Sequence, residues 1–327
     1  MGPQKSFCPF FLNDGVHRSQ IVRAGVVKNI RRFFDGLDFI EVRTPILSAD
    51  SIVDRYVEPI AVTDSSFPTN HHGTKTYYLQ TSPEFAMKRL LAAGMTAIYQ
   101  LTPVFRRGDR GTMHNVEFTM LEWYRVGDDY HDGMELLAGF VRNILEKSVQ
   151  RRSFRDVFME RTEIDPHRTT SRQLQRFAEK KGIAFPDGLD DESWIDLIFS
   201  ELVQPTLNAT IVYDYPVFQP QLARIRTEND GMAIVERFEL FIDGVELANG
   251  YHELLDAEEL RRRFRKTAEQ RRLDGKPDIP VESRLLAAME AGLPVCCGTA
   301  LGLERLLLVK LGVDSIDRVF SFPIEIA

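Results

Sequence analysis

Cysteine is scarce in this sequence: Cys8, Cys296 and Cys297 are the only three in 327 residues, and two of them are adjacent. An odd count at that spacing is a poor disulfide framework and lacks the spacing of a structural cysteine–zinc site. It suits small buried residues in a reducing compartment. Long apolar runs are missing too. The best candidate, Leu301 to Val313, is broken by Glu304, Arg305 and Lys310, short of the roughly 18 residues that a membrane helix needs. No association with a membrane is therefore expected. There is no basic excess: the formal net charge is −7, which removes the global signature of a nucleic-acid binder. No basic start precedes an apolar stretch at the N-terminus, so a secretory signal is not expected and a cytoplasmic location is. Internal repeats and low-complexity segments are absent.

What remains is an ordinary globular balance, 43% apolar and 27% charged. Residues 1–16 read as an arm. Ile21, Val22, Gly25, Val26, Ile30, Phe33 and Phe34 recur at helical spacing and predict a helix over 17–36. A short strand follows at Phe39 to Val42, stopped by Thr44-Pro45. A polar loop spans 62–76, a strand Tyr77 to Gln80, and Ser82-Pro83-Glu84 opens a helix that Gly94 ends. Strands are expected at 97–106 and 115–126, joined by the polar loop Arg107 to His114, and again at 211–216 and 233–254. Residues 130–205 read as a helical insertion, 257–273 as a charged helix, and Cys297 to Gly312 as strand, glycine turn and helix. Hairpin neighbours of this kind predict an α+β fold, a mostly antiparallel sheet flanked by helices, as one large domain over 17–327.

The sharpest local signal is Asp243-Gly244 between two strand-like runs. Pairing outward from that turn sets Ile242 against Val245, Phe241 against Glu246, Leu240 against Leu247 and Glu239 against Ala248. One face is then apolar, and Glu239 and Glu246 fall together on the other as diagonal neighbours. They are either solvated glutamates or a pair able to share Mg²⁺. Strict alternation sends Glu253 to the opposite face, unless a bulge at Gly250 returns it. His252 reads first as structural, second as a base or ligand.

On the strand 115–126, Phe118, Met120, Glu122 and Tyr124 share a face. A carboxylate there is at a rim, or buried with a partner such as a substrate ammonium. Phe118 is either core or a surface for stacking a base. Arg106, beside a polar loop, suits a phosphate or a surface ion pair. Gly298 to Arg305 carries two glycines four apart, which suits helix packing or close approach to a ligand, and it matches neither a phosphate loop nor a dinucleotide fingerprint. Arg261, Arg262, Arg263, Arg265, Lys266, Arg271 and Arg272 read as a solvated helix face, or as a dock for an acidic macromolecule.

In this order the segments resemble the catalytic core of class II aminoacyl-tRNA synthetases. Phe39 to Pro45 is similar to motif 1, Phe105-Arg106 with His114 to Tyr124 to motif 2, and Gly302-Leu303-Glu304-Arg305 to motif 3. Thr81 to Glu84 and Glu246 to Leu254 are similar to the lysyl branch. Only some 16 residues precede the first core helix, too few for an OB-fold anticodon domain, so no anticodon recognition is expected. The resemblance is therefore to the truncated lysyl-synthetase paralogues, the elongation factor P lysine ligase family. Ala300 agrees, because the tRNA enzymes carry glycine at the matching position.

The resemblance implies activation of lysine or (R)-β-lysine with ATP and Mg²⁺, transfer to a lysine of elongation factor P, and a homodimer built on motif 1. It implies that Arg106 holds the α-phosphate and the substrate carboxylate, His114 faces the outer phosphates, Phe118 stacks on adenine, and Arg305 holds the γ-phosphate against the opposite adenine face. Arg106 and Arg305 would be catalytic. Asn115, Leu247 and Gly302 complete the nucleotide site, and Glu239 and Glu246 bind the metal. Ser82, Pro83, Glu84, Glu122, Tyr124, Asn249, Glu253 and Ala300 form the amino-acid site. One departure stands out. The family starts the motif 2 loop with Arg-Asn-Glu-Glu, and this chain reads Arg106-Arg107-Gly108-Asp109. The glutamate that reads the adenine amino edge is thus missing at Gly108. That leaves an enzyme charging a tRNA or a small acceptor, and a non-catalytic nucleotide sensor, as alternatives.

Overall fold

The computed structural model describes residues 14–186, 188–218, 220 and 222–327. Cys8 and most of the expected arm lie outside them. Helix α1 (Asp14–Asp35) starts three residues earlier than its apolar spacing implies. It buries Val26, Ile30 and Phe34, the stripe that the near-helical recurrence marks.

A nine-stranded sheet organises the molecule. Its strands are β1 (Ile40–Glu41), β5 (Ala97–Phe105), β6 (Glu117–Val126), β7 (Gln150–Ser153), β8 (Thr210–Tyr215), β9 (Ile225–Thr227), β10 (Ala233–Ile242), β11 (Val245–His252) and β12 (Cys296–Gly302). The order is β1-β5-β6-β12-β11-β10-β8-β7, with β9 on β10. Only the outer pairs β1/β5 and β7/β8 are parallel. The antiparallel interior agrees with the hairpin reading. Helices α1, α3 (Tyr130–Leu145) and α9 (Leu303–Leu311) cover one face with the largest apolar core, including Phe34, Trp123, Phe140 and Leu307. Asp129 and Asp132 form a reciprocal capping box that starts α3.

The opposite face is flanked rather than covered. The insertion contributes α4 (Phe154–Thr162), α5 (Ser171–Lys181) and α6 (Asp191–Ile198), which bury Phe158, Trp194 and Ile198 against Val212 and Phe241 of β8 and β10. At the other end α2 (Glu84–Ala92), α7 (Ala257–Leu273) and α8 (Arg284–Gly292) pack Met87, Leu91, Phe264 and Leu285 together. A side sheet joins β2 (Leu47–Ser48), β3 (Ile60–Thr63) and β4 (Thr76–Leu79) in the order β2-β4-β3. Its hairpin replaces the ends of the loop expected at 62–76.

Two expectations change. The insertion is not wholly helical, because Gln150-Arg151-Arg152-Ser153 forms β7 at the sheet edge. These side chains carry no apolar alternation, and the strand exists through main-chain bonds to β8, which sequence pattern does not encode. The bulge in the long hairpin also moves. Phe241 pairs with Glu246, but Leu240 pairs with Ala248 and Glu239 with Asn249, so the extra residue is Leu247 and not Gly250. Gly250 instead sits against the Phe238 ring, where an added Cβ would lie 2.2 Å from Cζ. Its role is close packing. The shift at Leu247 places Glu246, Asn249, Tyr251 and Glu253 on the same face as Glu239.

Candidate active site

That uncovered face floors a cleft of about 310 Å³. Every site residue expected from the sequence lines it except Pro83, which borders an adjoining hollow beside Pro45 and Asp50. Pro83 carries helical dihedrals (φ −77°, ψ 0°) and directs the chain into α2, so its part is to aim Glu84 rather than to face the cleft.

One end of the cleft is a nest of buried carboxylates. Alternation along β6 sends Leu121 and Trp123 into the core and Glu122 and Tyr124 into the cleft. Tyr124 donates its hydroxyl to Glu122 Oε1 at 2.6 Å and Ser82 donates to Oε2 at 2.7 Å. Ser82 Oγ in turn accepts the Glu84 N–H at 3.0 Å. Burial, then the Glu84 charge, pushes the Glu122 carboxyl up to about 7. Glu253 is pushed up to about 8 by burial, opposed by Lys88. The Lys88 ammonium sits behind the cleft, 2.5 Å from Glu253 and 2.6 Å from Glu84. Gly298 on β12 keeps this end open: an added Cβ would stand 2.2 Å from Tyr124 Cε1 and 2.4 Å from Glu253 Oε1. Three acids and one resident cation leave a net demand for about two positive charges, a need that a diamine meets.

The other end is cationic. Arg106, at the close of β5, is half-buried with its guanidinium over the Phe118 ring at 5.1 Å, and its buried Nε has no hydrogen-bond partner among the described residues. Burial lowers its pKa, which registers the cost of holding an incompletely paired guanidinium there. Arg305, in the first turn of α9, donates to Met113 O (3.3 Å), to Glu246 O (3.0 Å) and to His114 Nε2 (2.6 Å). Burial first, and Arg305 second, lower the His114 pKa. A neutral imidazole with its proton on Nδ1 can accept that bond.

Glu239 and Glu246 both reach the cleft from neighbouring strands. Tyr215 donates to Glu239 Oε2 at 2.5 Å, and the Arg237 guanidinium pairs with Oε1. Burial raises the Glu239 pKa and the Glu246 charge adds to it, against Arg237. Glu246 is half-buried, with Oε2 3.6 Å from Arg305 Nη1. Two carboxylates on one face offer the oxygen donors that a hard divalent cation takes, so these residues fit Mg²⁺.

Lys88, Arg237 and Tyr251 were missed by the sequence reading. A signal existed for each of them. Lys88 lies four residues after Glu84 on one helix, and Arg237 lies two before Glu239 on one strand. Tyr251 carries the same period-two signal, midway between Asn249 and Glu253 along the chain, and its hydroxyl accepts from Asn249 Nδ2 at 2.7 Å. His252 takes its structural reading: it is buried, and its Nδ1 lies 2.6 Å from Glu236 Oε2. The basic run on α7 is largely tied up internally. Arg261 bonds Glu258, Glu282 and Glu290, Arg263 bonds Glu259, and Arg271 is buried on Glu58. Cys296 and Cys297 are free and buried, and burial pushes both thiols up, so they are inert packing. No helix among the described residues is long and apolar enough to cross a membrane.

The model of the family "tRNA synthetases class II (D, K and N)" matches residues 4–326. Among curated relatives, the elongation factor P–(R)-β-lysine ligase of Pasteurella multocida is 39% identical over 309 residues, covering 93% of this chain and 94% of the relative. The protein of the same name from Proteus mirabilis is 39% identical over 308 residues (92% and 94%), and that from Haemophilus influenzae is 37% identical over 312 (94% and 95%). With the antiparallel sheet and the cleft described above, these matches place the chain plainly: it belongs to the class II tRNA synthetase family of the D, K and N type, and over nearly its whole length it is similar to elongation factor P–(R)-β-lysine ligases.

Proposed function

We propose that this chain is an ATP-dependent ligase that activates lysine or (R)-β-lysine as an aminoacyl-adenylate and transfers it to a lysine of elongation factor P. The observation that carries the reading is one cleft with the half-buried Arg106 guanidinium, whose buried Nε has no partner among the described residues, at one end and the acids Glu84, Glu122 and Glu253 at the other. An amino acid with two ammonium groups and one carboxylate matches that polarity end for end.

In the reaction a substrate carboxylate oxygen attacks the α-phosphorus, the bond from phosphorus to the bridging oxygen breaks, and pyrophosphate leaves. Arg106 binds the carboxylate and the α-phosphate, and steadies the charge that develops between them. Phe118 and Arg305 hold the adenine, with Asn115, Leu247 and Gly302 lining the same site. His114 faces the outer phosphates. Glu122, Tyr124 and Glu253 take the distal ammonium, Glu84 the amino group near the carboxylate, and Asn249 lies beside the carboxylate; Ser82 orients Glu122, and Ala300 shapes the pocket. Glu239 and Glu246 would hold Mg²⁺, which neutralises phosphate charge when bound. In the second step the ε-amine of the acceptor lysine attacks the carbonyl carbon, AMP departs, and the amine loses a proton. Uncharged side chains are rejected because they leave buried carboxylates unpaired.

A cytoplasmic homodimer belongs to this reading. Leu37 and Ile40 are exposed apolar side chains at β1, the edge of the sheet, and a second copy would cover them. The motif 2 departure has a backbone counterpart: Gly108 has φ +84°, a conformation that disfavours the glutamate usual there. ATP–pyrophosphate exchange with (R)-β-lysine, L-lysine or no amino acid tests the first step, and the mass of elongation factor P tests the second. Exchange with β-lysine followed by a mass increase supports the ligase. Exchange followed by charging of tRNA instead replaces it with a synthetase, and no exchange from folded protein with Mg²⁺ leaves a nucleotide sensor.

A further inference from the structure

Outside the cleft, two adjacent histidines converge on one carboxylate oxygen. His71 and His72 lie in the loop between β3 and β4, and Asp50 lies just beyond β2. The two Nε2 atoms stand 2.8 and 3.0 Å from the same Asp50 Oδ1. The imidazole centroids are 3.9 Å apart, with the ring planes inclined by 42°. All three donor atoms lie within 4.8 Å of one another. The Asp50 side chain is 5% exposed and His72 13%, while His71 at 29% leaves one side open to water.

Each donor is held by bonds of its own. Asp50 Oδ2 accepts the Arg284 N–H at the start of α8 at 3.0 Å, and the Asp50 N–H donates to Ser48 Oγ at 3.1 Å. The His72 N–H donates to Asn70 Oδ1 at 3.0 Å, and Asn70 Nδ2 donates to Thr76 O at 2.7 Å. The cluster is thus anchored to a helix start, a strand end and the loop's own turn.

We propose that Asp50, His71 and His72 bind one late first-row divalent ion of the Zn²⁺ class. Two imidazoles and a carboxylate are its preferred donors, and three protein ligands leave a position for water. At Zn–N distances of ~2.0–2.1 Å, tetrahedral donors sit roughly 3.3 Å apart. The present 2.8 and 3.0 Å separations reach that by small outward side-chain rotations. The ion replaces the two imidazole contacts to one oxygen with three coordinate bonds, each imidazole ligating through Nε2 in its neutral form with its one proton on Nδ1. Mg²⁺ prefers oxygen donors and keeps its waters, so this site is chemically separate from Glu239 and Glu246. Its place in the fold gives it a structural role. Ile52, Asp54 and Val57, soon after Asp50, line the cleft, so an ion here would pin the β3–β4 loop to the segment that forms the cleft wall.

The test uses the full chain, stripped with a chelator and titrated with Co²⁺ and then Zn²⁺. One equivalent of Co²⁺ with visible d–d absorption, displaced by Zn²⁺ and accompanied by a rise in Tm, is the expected result. The double variant H71A/H72A should bind at least about tenfold more weakly while keeping Mg²⁺-dependent pyrophosphate exchange, so loss of this site and loss of the ligase reading are separable. H71Q, altered at the most exposed ligand, serves as the milder variant if the double one fails to fold. Absence of stoichiometric Co²⁺ absorption at micromolar protein, or binding unchanged in the histidine variants, overturns the proposal.

Discussion

The Lys88 ammonium is locked to Glu253 at 2.5 Å, with both side chains 2% exposed or less, and it reaches Glu84 at 2.6 Å. The protein therefore carries its own cation behind the acidic end of the cleft. A fully buried lysine loses hydration, which lowers its pKa, yet the two carboxylates outweigh that and hold it protonated. Lys88 neutralises one of three acids, so the pocket keeps a demand for two positive charges rather than three.

Removing that cation should cost more than the size of the pair suggests. Lys88→Met keeps the volume but leaves Glu84 and Glu253 facing each other. Breaking a buried pair from one side destabilises by about 3–5 kcal/mol. Urea unfolding at pH 8 should show that loss, and at pH 5 a smaller one, because protonating a carboxylate relieves the repulsion. Equal losses at both pH values would sink this account.

Glu122 and Glu253 also make ligand-free stability depend on pH. Their folded pKa values, about 7 and about 8, lie above the unfolded glutamate value. The folded chain thus binds more protons between those limits. The contribution is full below the unfolded pKa and is lost as pH rises through 7 to 8, by at most about 1.4 kcal/mol per pH unit for each group. Urea midpoints from pH 5 to 8 should fall more steeply for the wild type than for Glu122→Gln. A diamine amino acid needs the ionised acid, so its KM should improve as pH rises through 7, and Glu122→Gln should flatten that profile.

Arg106→Lys tests the other end of the cleft. A lysine keeps the charge but loses the planar fork that spans a carboxylate and a phosphate. Amino-acid-dependent pyrophosphate exchange should drop by about 10²–10³-fold in kcat, with the far-UV spectrum unchanged. A change confined to KM would show that Arg106 only binds, and does not act on the transition state.

The acid pair should separate by burial. Glu246 is half-buried with one long contact to Arg305, whereas Glu239 is buried between Tyr215 and Arg237. Glu246→Gln should raise the Mg²⁺ concentration needed for half-maximal exchange and leave Tm close to wild type. Glu239→Gln should raise that concentration and also lower Tm, since the buried ion pair of Arg237 with Glu239 is then lost. An unchanged Mg²⁺ requirement in both variants would remove them from the metal site.

Gly298→Ala should close the amino-acid end. The added methyl would meet Tyr124 and Glu253 at 2.2 and 2.4 Å. Overpacking of this kind costs typically about 1–3 kcal/mol, and KM for the amino acid should rise while ATP binding, measured by isothermal titration, persists.

By itself the sequence determined the antiparallel hairpins, the two-faced strand 117–126 and nearly all of the cleft's acids and arginines. Those features follow from local rules: period-two alternation put Glu122 and Tyr124 on one face, and Asp243-Gly244 set the turn that brings Glu239 and Glu246 together. Tertiary structure decided what local rules do not reach. The bulge at Leu247 belongs to the pairing between strands, in a register that also sets Phe238 against Gly250. The edge strand 150–153 came from backbone bonds to β8, which any side chains can make. Lys88 became the counter-ion of Glu253 only because α2 lies across the end of β11, 165 positions away in the chain. Charge compensation in a low-dielectric interior acts through space, and only the folded chain brings those groups within reach of each other.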